Sequence, residues 1–303
     1  MRPAFSLIVF TTLSGLGFGL AAIIGLGLIT APTAFWWLVY NGVALALIGA
    51  GVVSSTMHLG HPERAWRAMT QWRSSWLSRE GVLATLTTIL LFGFAVDGYM
   101  NGAPNFVLGV AVAILSLVTI WCTAMIYASL KTVARWFHPL TPFMFVGYAL
   151  AGGLIAAVTM DAMANGDASV LTQPALLALL SAAVVAVLWS KQAGAEGSGS
   201  TPESATGLGA LGPVRMLMPP HSEENWLQHE MGFVVARKHA DTLRKISLGL
   251  AIVLPGLALL AAASSPVALV LAALIHIAGV MVSRWLFFAE AKHTVTLYYG
   301  QRH

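Results

Sequence analysis

The chain has 303 residues, of which 57% are hydrophobic and only 9% are charged, and its formal net charge is +4 at pH 7. Soluble domains carry about 25% charged residues, so this composition excludes a water-soluble globular protein. The mean hydropathy of +0.78 instead indicates a protein whose helices lie in a lipid bilayer.

Apolar runs recur along almost the whole chain. A helix that crosses the hydrocarbon core, which is about 30 Å thick, needs roughly 20 mostly apolar residues. The runs are continuous and do not alternate, which argues against a transmembrane β-barrel. We predict an all-α integral membrane protein, one bundle of about eight transmembrane helices formed by residues 1–303. The predicted spans are 6–29, 35–57, 81–99, 105–129, 142–160, 174–190, 246–262 and 267–289.

The polar segment 58–80 separates the second and third spans and reads HLGHPERAWRAMTQWRSSWLSRE. Pro62 suits the first turn of a short helix, because proline lacks the N–H that this turn leaves unpaired. Three tryptophans suit the headgroup level of a membrane, where an indole keeps its ring buried and its N–H hydrated. We expect this segment to lie along the membrane surface.

A second polar region separates the sixth and seventh spans. Residues 191–222 are rich in Gly, Ser and Ala, which predicts a flexible linker. Residues 223–245 have helical spacing and mixed charge, so we expect a surface helix that leads into the seventh span.

Charge is distributed unequally between the two ends of the bundle. With eight spans, both termini and the loops 58–80, 130–141 and 191–245 lie on one face. All 16 Lys and Arg residues belong to this basic face. Among them, Arg284 lies within the last span, at the end nearer this face. The acidic residues of the opposite loops are Asp97, Asp161 and Asp167. Because Lys and Arg bias short loops toward the cytoplasm, we predict that the basic face and both termini are cytoplasmic.

The positive charge does not indicate nucleic-acid binding, since anionic lipid headgroups explain it and the chain has no nucleic-acid motif. His276 is the only ionisable residue predicted close to mid-membrane. This scarcity argues against a transporter or a proton pump, which mark their pathways with buried charges. A b-type haem would need a second facing histidine, so a hydrogen bond to a neighbouring helix is the better interpretation of His276. The single Cys122 cannot ligate an iron–sulfur cluster, which must belong to a partner.

Ionisable groups collect at the basic ends of the second and third spans. His58 and His61 could begin a metal site, but two further ligands are not apparent, and we predict no metal. Two interpretations of Glu80 remain open. It can complement the dipole at a helix start that Ser78 caps. Alternatively, Glu80 and His58 form part of a quinone pocket and supply the protons that quinone reduction consumes, since both side chains can exchange protons.

Four motifs carry a family resemblance: HLGHPERAWRA…WRSSWLSRE, TTLSGLGFGL near the start, MIYASLKTVARWFHP after the fourth span and RWLFFAEAKHTVTLYYG near the end. Together they resemble the DmsC-type membrane anchors, which are the membrane subunits of dimethyl sulfoxide reductase-like molybdoenzymes. The resemblance covers nearly the whole chain, apart from the linker 191–222.

The resemblance implies an eight-helix anchor without haem, and we predict that this chain binds no metal either. It also implies an iron–sulfur subunit docked on this anchor and, through it, a catalytic subunit with a molybdenum bis-pterin cofactor. Quinone, either ubiquinone or menaquinone, is handled near the docking interface. The quinone-linked His and Glu of the family fall on His58 and Glu80. Proximity adds the candidates Arg73, Ser78, Arg79, His61 and Trp76.

Within the family, the predicted orientation resembles the anchor of cytoplasm-facing sulfite dehydrogenases (SoeC-like), which pass electrons from sulfite to quinone. The iron–sulfur subunit would then dock on the cytoplasmic face of the inner membrane. Two alternatives remain: a quinol-oxidising anchor of a dimethyl sulfoxide reductase-like terminal reductase, and a purely structural tether. No residue of this chain is expected to touch the substrate of the catalytic partner.

Overall fold

The computed structural model describes residues 3–57, 59–166, 169–193, 199–218, 239–261 and 265–299. Eight long helices dominate it, and each is long and apolar enough to cross a membrane. They are α1 (Phe5–Gly25), α2 (Ala34–Thr56), α3 (Trp76–Asn101), α4 (Phe106–Ala128), α5 (Leu140–Asn165), α6 (Ser169–Gln192), α7 (Ala240–Ala261) and α8 (Pro266–Ala289). For the residues that the structure describes, the prediction of an all-α chain with eight apolar helices is confirmed.

Helices α3, α6 and α7 begin more than one helical turn earlier than their hydropathy predicts. Helix α3 begins at Trp76, before the predicted 81, because the Ser75 side chain accepts a hydrogen bond from the backbone N–H of Ser78 at 3.4 Å. A serine in this position satisfies a free N–H at the helix start. The prediction that Ser78 caps this helix is therefore wrong. Helix α7 begins at Ala240, before the predicted 246.

Helices α1 and α5 form the centre of the bundle. Most of their residues are buried, and α1 contacts α2, α4, α5 and α8. A Cβ atom on Gly19 would lie 2.0 Å from the carbonyl oxygen of Ala149, and one on Gly153 would lie 2.4 Å from the carbonyl carbon of Gly19. Membrane helices often meet through such small residues, because close backbone approach maximises van der Waals contact. Glycine at these two positions therefore permits the central contact.

Helix α7 contains a π-helical turn at Gly249–Val253, which faces α8. Within this turn, the carbonyl oxygen of Ala251 lies 2.6 Å from Nδ1 of His276. A π-turn breaks the regular pattern of α-helical hydrogen bonds, which lets a side chain bond to the backbone. The interpretation of His276 as a buried histidine that is bonded to a neighbouring helix is confirmed.

The polar connections agree with the sequence only in part. A 3₁₀ helix at Pro62–Gln71 begins with proline, as predicted. Helix α6 extends into the predicted linker 191–222, which also contains a short helix at Pro202–Thr206. Most of the predicted surface helix 223–245 lies outside the described residues, and its last part belongs to α7.

Candidate functional site

The site begins with Glu80, which lies in the second turn of α3 and is only 5% exposed. The hydroxyl of Thr123 on α4 donates a hydrogen bond to the carboxyl oxygen Oε1 of Glu80. No Lys, Arg or His of the described residues forms an ion pair with it. Because Ser75 caps the helix and Glu80 bonds to a neighbouring helix, the interpretation of Glu80 as an acid of the first turn is wrong.

Residues 62–75, here called the surface segment, are attached to the start of α3. The hydroxyl of Ser78 donates a hydrogen bond to the carbonyl oxygen of Ala68. Nε of Arg79 donates to the carbonyl oxygen of Trp72 at 3.0 Å. Both side chains therefore hold the surface segment close to the helix turn that carries Glu80.

The other predicted site residues lie at the surface or outside the described residues. Arg73 and Trp76 each form a cation–π contact with a neighbour in this region. His61 is exposed, and its Nδ1 lies 3.0 Å from a carboxyl oxygen of Glu63. His58 lies outside the described residues. Over the part of the sequence that is described, no three His, Cys, Asp or Glu side chains form a potential metal site.

A small polar cavity lies beside Thr123, where α1, α4, α5 and α8 meet. Its volume of about 10 Å³ has room for roughly one water molecule and excludes a quinone ring. Its polar side chains are Thr11, Thr12, Ser14, Thr123, Tyr148, His276 and Arg284. The hydroxyl of Thr12 finds no hydrogen-bond partner in the described structure.

Arg284 is the largest buried ionisable side chain of the described residues and is only 2% exposed. Its guanidinium carbon lies 3.4 Å from the ring centroid of Phe145. The sequence places this arginine near the basic face and leaves His276 as the only ionisable group close to mid-membrane. The structure adds that Glu80 and Arg284 are buried inside the protein as well. The sequence feature that could have predicted the burial of Arg284 is its position inside the apolar run of the last span, where a charge is costly.

A second buried cluster lies at the basic face and is centred on Glu290, directly after α8. Its carboxylate binds Arg135 at 3.0 Å and also binds Arg244. Burial lowers the pKa of the Arg135 guanidinium, and the Glu290 carboxylate opposes this shift. The indole N–H of Trp136 donates to the carbonyl oxygen of Phe287 at 2.9 Å. Sequence spacing gives no signal for such contacts, because they join the α4–α5 connection to α7 and the end of α8.

A larger cavity lies at the opposite end of the bundle, between the α1–α2 and α3–α4 connections. It has a volume of about 530 Å³, and Trp37, Phe94 and Phe106 form part of its wall. It could accept an aromatic ring. Its wall includes no ionisable side chain among the described residues, so it offers no acid or base for proton transfer.

Comparison with known proteins identifies the family of this chain. Residues 1–200 match the family described as DMSO reductase anchor subunit (DmsC). The chain is 32% identical to the C subunit of sulfite dehydrogenase from Allochromatium vinosum over an alignment of 326 positions, which covers 99% of both proteins. It is 26% identical to the C chain of anaerobic dimethyl sulfoxide reductase from Escherichia coli over an alignment of 154 positions, which covers 47% of this chain and 52% of that one. For the protein of the same description in Haemophilus influenzae, the identity is 30% over 116 residues, with 37% and 41% covered. The protein is multi-pass and belongs to the DmsC family of membrane anchor subunits, as the motifs predict.

Proposed function

We propose that this chain is the quinone-reactive anchor of a molybdenum and iron–sulfur oxidoreductase complex. It passes electrons between the iron–sulfur clusters of a partner subunit and the membrane quinone pool. The observation that carries the proposal is the buried carboxyl of Glu80, which lies at the basic end of α3 and has Thr123 as its hydrogen-bond partner. Ionisable groups buried in membrane proteins are costly and are usually functional. A purely structural tether does not need a buried carboxyl group.

Sulfite is the substrate that the comparisons favour for the catalytic partner. The relative from sulfite dehydrogenase matches 99% of this protein, whereas the dimethyl sulfoxide reductase relatives match 47% and 37%. Sulfite oxidation releases electrons, so quinone would be reduced at this anchor. The second candidate, a quinol-oxidising anchor of a reductase, would use the same site in the opposite direction.

The geometry of the site suggests how protons reach the quinone. We place the quinone ring between α3 and the surface segment, which Ser78 and Arg79 hold beside the turn that carries Glu80. The cavity beside Thr123 is too small for the ring. Glu80 donates a proton to a quinone oxygen as electrons arrive, and it is reprotonated from the basic face. His58 serves as a second donor. A correctly placed acid or base contributes about 10²- to 10⁴-fold to such a step.

The basic face is the docking surface for the iron–sulfur subunit. It carries the exposed indoles of Trp66 and Trp72, each with an arginine beside its ring. Trp and Arg are the residue types that most often contribute strongly to protein interfaces. The cluster around Glu290 fixes the neighbouring chain segments. Since Lys and Arg bias loops toward the cytoplasm, this face and both termini are placed there.

Turnover of the purified complex in sealed proteoliposomes tests this function. Sulfite should reduce quinone only when this chain is present, whereas an artificial acceptor should also be reduced without it. Because the oxidation and the proton uptake both occur on the basic side, no membrane potential should develop. A sustained potential that an uncoupler collapses would show charge crossing the bilayer and would contradict this placement of the site.

A further inference from the structure

We propose that Arg284 is the buried counter-charge of Glu80 and acts through it as a positioning residue of the quinone site. The effect on turnover rests on the proposed function. The electrostatic coupling between the two residues does not, since it can be measured without quinone.

The surroundings of Arg284 leave its positive charge largely uncompensated. No carboxylate of the described residues lies within ion-pair distance of the guanidinium. Its Nε and Nη1 atoms find no hydrogen-bond acceptor there either. The ring of Phe145 lies under the guanidinium, and an aromatic face attracts a cation. A buried cation without an anionic partner is unfavourable unless a negative charge forms nearby.

Glu80 is the carboxyl group that the structure connects to the small polar cavity, through Thr123. The Thr123 hydroxyl binds the Glu80 carboxyl, and the same side chain lines the small cavity that Arg284 also lines. In a low-dielectric interior, charges interact over several ångströms more strongly than in water, so the two groups do not need to be in contact.

This arrangement assigns a role to each residue during turnover. When Glu80 gives its proton to the quinone, a carboxylate remains in the buried site. The fixed charge of Arg284 stabilises that carboxylate until a proton from the basic face replaces the lost one. Arg284 neither touches the quinone nor transfers a proton itself. Removal of its charge should therefore lower kcat and leave the KM for quinone unchanged.

A double-mutant cycle measures the coupling without using quinone. The variants are Glu80→Gln, Arg284→Met and the double variant, in the purified complex and in mildly alkaline buffer, where a carboxyl group is ionised. Arg284→Met should lower the thermal midpoint, because it leaves the carboxylate without its counter-charge. Adding Glu80→Gln should restore part of the loss, because both charges are then absent. Additive shifts of the midpoint would overturn the proposal.

Turnover distinguishes charge from packing. Arg284→Met should lower kcat with quinone at least about tenfold, with KM and artificial-acceptor turnover unchanged. Arg284→Lys should stay within about threefold of wild type, because it keeps a positive charge. Phe145→Leu is the matched control, since it removes the stacked ring and keeps the charge. Equal losses in the Met and Lys variants, or a loss in Phe145→Leu as large as in Arg284→Met, would show that packing matters and would refute the proposal.

Failure to assemble is also informative. If Arg284→Met does not assemble, recovery of assembly in the double variant with Glu80→Gln supports the coupling, and failure of both variants contradicts it. If the proposed function is wrong, Glu80→Gln leaves quinone turnover unchanged. The double-mutant cycle of thermal midpoints still measures the coupling in that case.

Discussion

Replacement of Glu80 by glutamine is expected to lower quinone-linked turnover at least about 100-fold, because a positioned acid typically contributes this much to proton transfer. Glutamine keeps the shape of the side chain and can still accept the hydrogen bond from Thr123. It cannot donate an acidic proton. His58→Ala should produce a similar loss. Turnover with an artificial acceptor and assembly of the complex should stay at the wild-type level in both variants.

Glu63→Gln is the matched control for this experiment. Glu63 lies on the surface segment, its side chain is 62% exposed, and its carboxylate lies beside His61 and Arg64, which are exposed as well. Its neutralisation should leave quinone turnover unchanged. Unchanged turnover in both Glu80→Gln and His58→Ala would reject the proposed site, and the interpretation of the protein as a purely structural tether would then be favoured.

Glu290→Ala is expected to destabilise the basic face strongly. The substitution leaves Arg135 and Arg244 without their shared carboxylate, in a place where Glu290 is only 8% exposed. Loss of one partner from a buried ion pair costs on the order of 3 kcal/mol, because the remaining charge stays uncompensated. We expect a lower thermal midpoint for the anchor. We also expect loss of the iron–sulfur subunit during size-exclusion chromatography, because the docking surface is no longer fixed.

Asp241→Asn provides the comparison for this effect. Asp241 binds the same Arg244 at 2.6 Å, but its side chain is 87% exposed. Exposed ion pairs contribute about 0–1 kcal/mol, so this variant should keep both its thermal midpoint and the partner subunit. If Glu290→Ala behaves like Asp241→Asn, the cluster does not stabilise the docking surface.

The eight helices could be predicted from the sequence because their apolar runs match the thickness of a bilayer. The errors occur where a helix continues into polar residues. Hydropathy places the start of the third span at 81, whereas the backbone hydrogen bonds begin at Trp76, where Ser75 can cap them. The seventh helix extends to Ala240 in the same way. A helix end in the headgroup region is set by hydrogen bonding, to which hydropathy is insensitive.

The candidate site was only partly accessible from the sequence. The motif around Glu80 identifies the region, but the bond to Thr123 joins two helices through a hydroxyl inside an apolar run. Arg284 illustrates the same difficulty. Its position in the last span indicates a charge inside an apolar run, but only the packing of α5 against α8 places it over Phe145. Contacts between helices depend on their rotation and depth, which a single sequence does not specify.

The central claim is that quinone binds beside Glu80 at the basic end of the bundle, and photolabelling tests it most directly. A quinone analogue with a photoreactive group on its ring would be bound to the intact complex in membranes and crosslinked, and the labelled peptides would be identified by mass spectrometry. We expect label in the segment 58–80 and in the part of α4 around Thr123. Label confined to peptides that contain Trp37 and Phe94, at the opposite cavity, would contradict the claim.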